Sequence, residues 1–97
     1  MAFPCNDFGA QEPKSNAEIL DFARSKGATF PVLGKIACER GEETHPLYTF
    51  LKTPFSEESL KWNFKKYLCD ANGEPIRSYT AKQDPLSFEE ELVELLK

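Results

Sequence analysis

Three cysteines and one histidine are the side chains of this 97-residue sequence best suited to nucleophilic, acid–base or metal chemistry. Cys5 stands in a loop rich in turn formers, Cys5 to Lys14, and is the one cysteine placed like a nucleophile. No cation or base lies near it in sequence to keep it ionised, so the expectation is a small apolar side chain buried beneath the loop. Cys38 and Cys69 follow 33 and 31 positions further on, in apolar, strand-like segments where a core role is expected. There is no CxxC pair and the total is odd, which argues against a disulfide framework and a zinc site and suits a reducing compartment. His45 precedes Pro46 at a helix start, where capping or packing is expected rather than base chemistry.

The elements that must position these residues can be read from local pattern. Met1 to Phe3 is the tail of an apolar strand, cut short by Pro4. Ser15-Asn16-Ala17-Glu18 has the spacing of a capping box, and Ile19, Phe22 and Ala23 supply an apolar face, so a helix is predicted from Asn16 to Lys26, closed by Gly27. Thr29 to Glu39 carries Pro31 and Gly34 and can hold only irregular extended structure, with a short strand over Ile36 to Cys38. Thr44 can cap a second, short helix with Pro46 in its first turn and Leu47, Phe50 and Leu51 on its apolar face, stopped by Pro54. Trp62 to Asp70 and Pro75 to Thr80 read as two strands joined by a tight turn at Asn72-Gly73. Ser87-Phe88-Glu89-Glu90 repeats the capping-box spacing before a helix whose stripe, Phe88, Leu92, Val93, Leu95 and Leu96, suits packing on a sheet.

Composition bounds the functions. With 40% hydrophobic and 29% charged residues the chain is that of an ordinary soluble globular protein, and its length allows one domain, 1–97. The net charge of −4 leans on Asp84, Glu89, Glu90, Glu91 and Glu94, a solvated helix face. Lys65-Lys66 alone is too little for a nucleic-acid backbone, so no nucleic-acid partner is expected. No apolar run reaches the length of a membrane span, and the first residues lack the pattern of a secretion signal, so a cytoplasmic protein is expected.

Two runs carry a resemblance: FPCNDFGAQEP at Phe3 to Pro13 and KWNFKKYLCDANGEP at Lys61 to Pro75. With the Ser15–Ala23 helix and the His45-Pro46-Leu47-Tyr48 run between them, they stand in the order found in the glutathione peroxidase family, and the sequence resembles that family across nearly its whole length. The resemblance implies an incomplete thioredoxin-like fold of class α/β: strand stub, helix, irregular segment, helix, β-hairpin and C-terminal helix. It implies a thiol peroxidase that reduces hydrogen peroxide or organic and lipid hydroperoxides with glutathione electrons in the response to oxidative stress. No metal or organic cofactor is expected, only glutathione or another thiol as reducing co-substrate.

In that family the attacking cysteine or selenocysteine lies on a strand and loop upstream of the first run, ahead of Met1 here. The 97 residues are therefore expected to be inactive alone and to lack the central strand, leaving the sheet split. A selenocysteine codon read as a stop, or a plain fragment, would each explain such a start. The resemblance assigns Gln11, Trp62 and Asn63 to poise the absent nucleophile. Amides and the donor-only indole N–H can hold a thiolate or selenolate ionised without a competing charge.

Departures from the family pattern refine this expectation. Asp7 stands where glutamine is usual, and Lys14 replaces a glycine and could meet a glutathione carboxylate. Arg24 occupies the position of the resolving cysteine in thioredoxin-dependent members, which favours the glutathione-using branch. The short Phe55 to Ser59 link resembles the monomeric branch. The alternative from another class is a non-catalytic, truncated thioredoxin-like binding module that pairs its open sheet edge with another chain.

Overall fold

The computed structural model describes residues 1–38, 44–56 and 60–97, which divide into two compact units, Met1–Thr49 and Phe50–Lys97. Glu39 and most of the Phe55-to-Ser59 link lie outside the described residues.

In the first unit, helix α1 spans Asn16–Ser25. The predicted capping box forms: Ser15 Oγ accepts the Glu18 N–H at 3.3 Å, and the Glu18 carboxylate accepts the Ser15 N–H at 3.4 Å. At the other end Gly27 adopts φ 93°, its N–H reaching Arg24 O and that of Ala28 reaching Ala23 O. This left-handed turn closes the last carbonyls, and a side chain at Gly27 would strain it. Of the expected apolar face only Ile19 is buried; Phe22 is exposed, with Lys26 Nζ 5.6 Å from its ring centre.

The Met1–Phe3 stub pairs through a single parallel bridge, Ala2 to Val32, with Ala2 N–H donating to Pro31 O and Leu33 N–H to Ala2 O. Extended pairing therefore falls at Val32, ahead of the strand expected at Ile36 to Cys38, which does not form. Ile36 N–H instead donates to Pro4 O and Cys38 N–H to a side chain. Among the described residues of this unit Phe8, Ile19, Cys38 and Tyr48 are buried, with Phe3 set edge-on to the Tyr48 ring.

Helix α2, Pro46–Lys52, begins on a different cap from the one expected. His45 Nδ1 accepts the Leu47 N–H at 3.1 Å, and His45 O accepts from Tyr48 N–H, whereas Thr44 Oγ1 is buried and makes no hydrogen bond. The capping reading of His45 holds. Proline at the first helical position fits there because that N–H has no partner in any helix. Pro54 lies in a 3-10 turn, Thr53–Phe55, which ends at Ser56 in the left-handed region.

In the second unit, β1 (Lys66–Cys69) and β2 (Pro75–Tyr79) form an antiparallel two-stranded sheet, with Lys66 opposite Tyr79 and an irregularity between Leu68 and Cys69. β1 starts four residues later than expected because Lys61 and Phe64 take positive φ, 72° and 63°, which breaks an extended run. At the turn only Gly73 has positive φ. Its N–H bonds Asp70 O, and Asp70 Oδ1 accepts the N–H groups of Asn72 and Glu74. This is a type I turn closed by a left-handed glycine rather than the two-residue turn that Asn-Gly suggests. Cys69, expected in the core, is exposed because it falls on the outward side of β1, where Leu68 takes the buried position.

The final helix, α3 (Glu89–Leu95), follows a 3-10 turn over Pro85–Phe88. Asp84 caps that turn through Leu86 N–H, and Ser87 Oγ donates to Asp84 O, so the predicted Ser87 capping box is absent. Asp84 prevails because Pro85 behind it presets the first helical φ. The turn is tied to β2 by Phe88, stacked on Tyr79 at 3.8 Å, and by Tyr79 Oη donating to Glu91. Of the predicted stripe, Phe88 packs on the sheet through Tyr79, whereas Leu92, Val93, Leu95 and Leu96 remain exposed. No helix among the described residues is long and apolar enough to cross a membrane.

Candidate functional site

Gln11 is carried by a loop whose course is set by side chain to backbone bonds. Asn6 Oδ1 accepts the Glu12 N–H at 2.8 Å, and Phe8 is buried beneath the turn, which Gly9 and Ala10 complete at positive φ. Lys35 clamps the far end: its ammonium donates to Glu12 O at 3.0 Å and Lys14 O at 2.8 Å. Asn16 Oδ1 accepts the Lys35 N–H at 2.9 Å. The loop therefore has a defined backbone on both sides of Gln11, whose side chain is exposed. Lys14, read as an added cation, is exposed as well.

Trp62 and Asn63 belong to the second unit, Gln11 to the first. Trp62 is 49% exposed, Asn63 is half-buried, and the pair sits between the left-handed residues Lys61 and Phe64. Positive φ at a non-glycine residue costs on the order of 1 to 2 kcal/mol, and such strain gathers where a side chain must be aimed. Trp62 is thus held out on a strained turn, not packed as a core residue. Arg24, expected from the resemblance to stand where a resolving cysteine would, has a bonding role in the fold. Its Nη1 donates to Ala28 O and Phe30 O, pinning the chain as it leaves α1.

The constellation that sequence reading missed lies around Cys5. Its sulfur is half-buried rather than buried, and the Cys38 thiol donates to it at 2.6 Å. Cys5 Sγ also accepts the Asp7 N–H at 3.4 Å, and the Asp7 carboxylate accepts the Cys38 N–H at 2.9 Å. The two sulfurs and the Asp7 carboxylate lie within 4.8 Å of one another, a donor set of metal-ligating types. Burial, with Cys38 and then Cys5 beside it, pushes Tyr48 up to about 12, so its phenol stays protonated. The only sequence signal was the presence of two cysteines; their 33-residue separation says nothing of contact. Cys69, by contrast, is raised by desolvation and then by the Asp70 and Glu74 carboxylates beside it.

Comparison with known proteins adds the family context. The glutathione peroxidase family model matches residues 1–52. The chain is 44% identical over 100 residues to glutathione peroxidase 1 of Helianthus annuus, covering 99% of this chain and 59% of that protein. It is 41% identical over 97 residues to a phospholipid hydroperoxide glutathione peroxidase of Bos taurus, covering 95% of this chain and 49% of that protein. Among solved structures, apo-form Trgpx superposes with a TM-score of 0.73 at 33% identity over 97% of this chain and 54% of its own. The T. cruzi GPX1 structure gives 0.72 at 31% identity, over 98% and 57%. The chain thus spans about half to three-fifths of the length of these relatives, and its helices and hairpin are those of a partial thioredoxin-like fold.

Proposed function

The chain belongs to the glutathione peroxidase family, and from that premise we propose that it forms part of a thiol peroxidase reducing hydrogen peroxide and organic, including lipid, hydroperoxides. The observation that carries the reading is the 41% identity to a phospholipid hydroperoxide glutathione peroxidase across 95% of the chain. Glutathione is the electron donor in this reading, supported by Arg24 at the position where a resolving cysteine would stand. The setting is cytoplasmic and the whole protein a monomer.

The family's attacking thiolate or selenolate, placed ahead of Phe3 in the family order, cleaves the O–O bond and releases an alcohol or water. The sulfenic or selenenic acid left behind is reduced by two thiols in turn. Gln11, Trp62 and Asn63 act on that step by donating neutral hydrogen bonds to the charged sulfur or selenium, which favours the ionised form. The clamped loop supports this role for Gln11, and the strained turn between Lys61 and Phe64 supports it for Trp62 and Asn63. Lys14 offers a charge for a glutathione carboxylate.

The test is peroxide reduction by a form carrying the family's upstream segment, with hydrogen peroxide and a phospholipid hydroperoxide, and with glutathione or thioredoxin as reductant. Turnover with glutathione on both peroxides is expected, and the 97-residue chain alone should react no faster than an ordinary thiol. A form with the upstream cysteine or selenocysteine in place that shows no turnover would reject the reading.

A further inference from the structure

We propose that Cys5 and Cys38 form a reversible dithiol–disulfide site, oxidised by hydroperoxides and distinct from the residues assigned above to the peroxidase centre. The sulfurs lie 2.6 Å apart, while both residues remain thiols. A disulfide bond is about 2.05 Å, so closure needs a shift of roughly half an ångström. Two thiolates sharing one tetrahedral zinc, at about 2.3 Å each, stand roughly 3.8 Å apart. The observed spacing is on the disulfide side of that comparison, even though Asp7 completes a donor set of metal-ligating types.

The backbone around the pair is already registered for the bond. Ile36 N–H donates to Pro4 O at 3.0 Å on one side, and Cys38 N–H to Asp7 Oδ2 at 2.9 Å on the other. These bonds bracket both cysteines, so oxidation demands little rearrangement of either segment. Access differs between them: Cys5 is half-buried and Cys38 only 3% exposed, which makes Cys5 the sulfur that meets oxidant.

The chemistry balances with a hydroperoxide as the only oxidant. The Cys5 sulfur attacks the terminal peroxide oxygen; an S–O bond forms, the O–O bond breaks, and the alcohol leaves with the Cys5 proton. The Cys38 sulfur then attacks the Cys5 sulfenic acid; the S–S bond forms, the S–O bond breaks, and hydroxide leaves as water with the Cys38 proton. Two electrons pass from the thiols to the peroxide. Two equivalents of glutathione, or one dithiol, return them by exchange. The bond would tie the Gln11 loop covalently to the segment entering α2, and a disulfide that makes and breaks in this way is the kind that a reducing compartment tolerates.

The test uses the purified 97-residue chain. After stoichiometric hydrogen peroxide, tryptic mapping should show peptide 1–14 joined to peptide 36–40, a loss of two hydrogens, Cys69 still open to alkylation, and full reversal by dithiothreitol. The bond should form at a rate independent of protein concentration. Cys38→Ser should abolish the link and leave Cys5 as a sulfenic acid that dimedone traps. If that variant fails to fold, Cys69→Ser serves in its place, passing from two alkylatable thiols to none. Oxidised wild-type chain in which Cys5 has reached sulfinic acid while Cys38 is still alkylated would overturn the proposal. So would peroxide-treated chain in which both remain alkylated.

Discussion

The Asp7 carboxylate accepts the backbone N–H of Cys38 at 2.9 Å, joining the Gln11 loop to a segment 31 residues away whose cysteine is buried. A negative charge that sequence alone marks only as a departure from the usual glutamine is thus a structural acceptor. Asp7→Ala removes this charged acceptor and should cost roughly 1 to 3 kcal/mol of unfolding free energy, whereas Asp7→Asn keeps an acceptor and should cost less. Urea unfolding of the three proteins checks the order. Equal midpoints for the alanine variant and the parent would remove the bond from the account.

Oxidation of the Cys5–Cys38 pair should stabilise the chain. Closing a loop of this length removes unfolded-state entropy worth about 3 to 4 kcal/mol. Denaturant midpoints compared with and without dithiothreitol after peroxide treatment should therefore differ in the chain with Cys69→Ser, and coincide when Cys5→Ser is added.

Trp62→Phe in a form carrying the upstream segment should slow peroxide attack while leaving the fold intact, because phenylalanine removes the indole N–H donor of this 49%-exposed residue but keeps most of the ring's packing. Losing one donor to a charged chalcogen should cost roughly 1.5 to 3 kcal/mol, a rate loss of about tenfold to a hundredfold. Stopped-flow rates and the pH dependence of nucleophile alkylation measure both halves. An unchanged rate and an unchanged profile would reduce Trp62 to a surface residue.

Tyr48 gives the chain a defined alkaline limit. Its hydroxyl is pushed up to about 12 in the folded state, from an unfolded value near 10. The folded state therefore holds the proton more tightly. This stabilisation is fully present below about pH 10 and is lost as pH rises through about 12. Tyr48→Phe should flatten the stability curve over that window and leave the slope below pH 9 unchanged, as read by unfolding free energies at graded pH.

Association is the expected behaviour of the isolated chain. Among the described residues β1 and β2 pair only with each other, a two-stranded sheet that is marginal in water, and Phe64, Leu86 and Leu96 are more than three-quarters exposed. Sedimentation velocity across a range of concentrations should show oligomers, with a melting temperature that rises with concentration. A concentration-independent monomer would mean that these edges are covered in solution.

Much of the local structure was legible in the sequence because the partners lie within a few residues of one another. Ser15 and Glu18 cap α1 as their spacing requires, Gly27 ends it, and the Asp70–Glu74 turn draws its bonds from five consecutive residues. The family was legible for a different reason: the Phe3–Pro13 and Lys61–Pro75 runs preserve residue types at fixed separations. Where two local signals compete, sequence alone does not rank them. Ser87 and Asp84 both suit a cap, and the proline after Asp84 decided the matter; Thr44 and His45 adjoin, and the bond from Leu47 chose His45.

What only the tertiary structure decided are the encounters between distant segments. Nothing in the spacing of Cys5 and Cys38 predicts that their sulfurs meet. That contact depends on Ala2 pairing with Val32 and Pro4 with Ile36, which draws the loop against the chain before α2. The same holds for Lys35, whose ammonium clamps a loop more than 20 residues earlier, and for Cys69, turned outward by the alternation of a strand whose start was set by Lys61 and Phe64. Backbone preference acts over three or four residues and is written in each short stretch. Which stretches touch is settled by how the chain as a whole buries its few large side chains and satisfies its backbone, and no single segment contains that information.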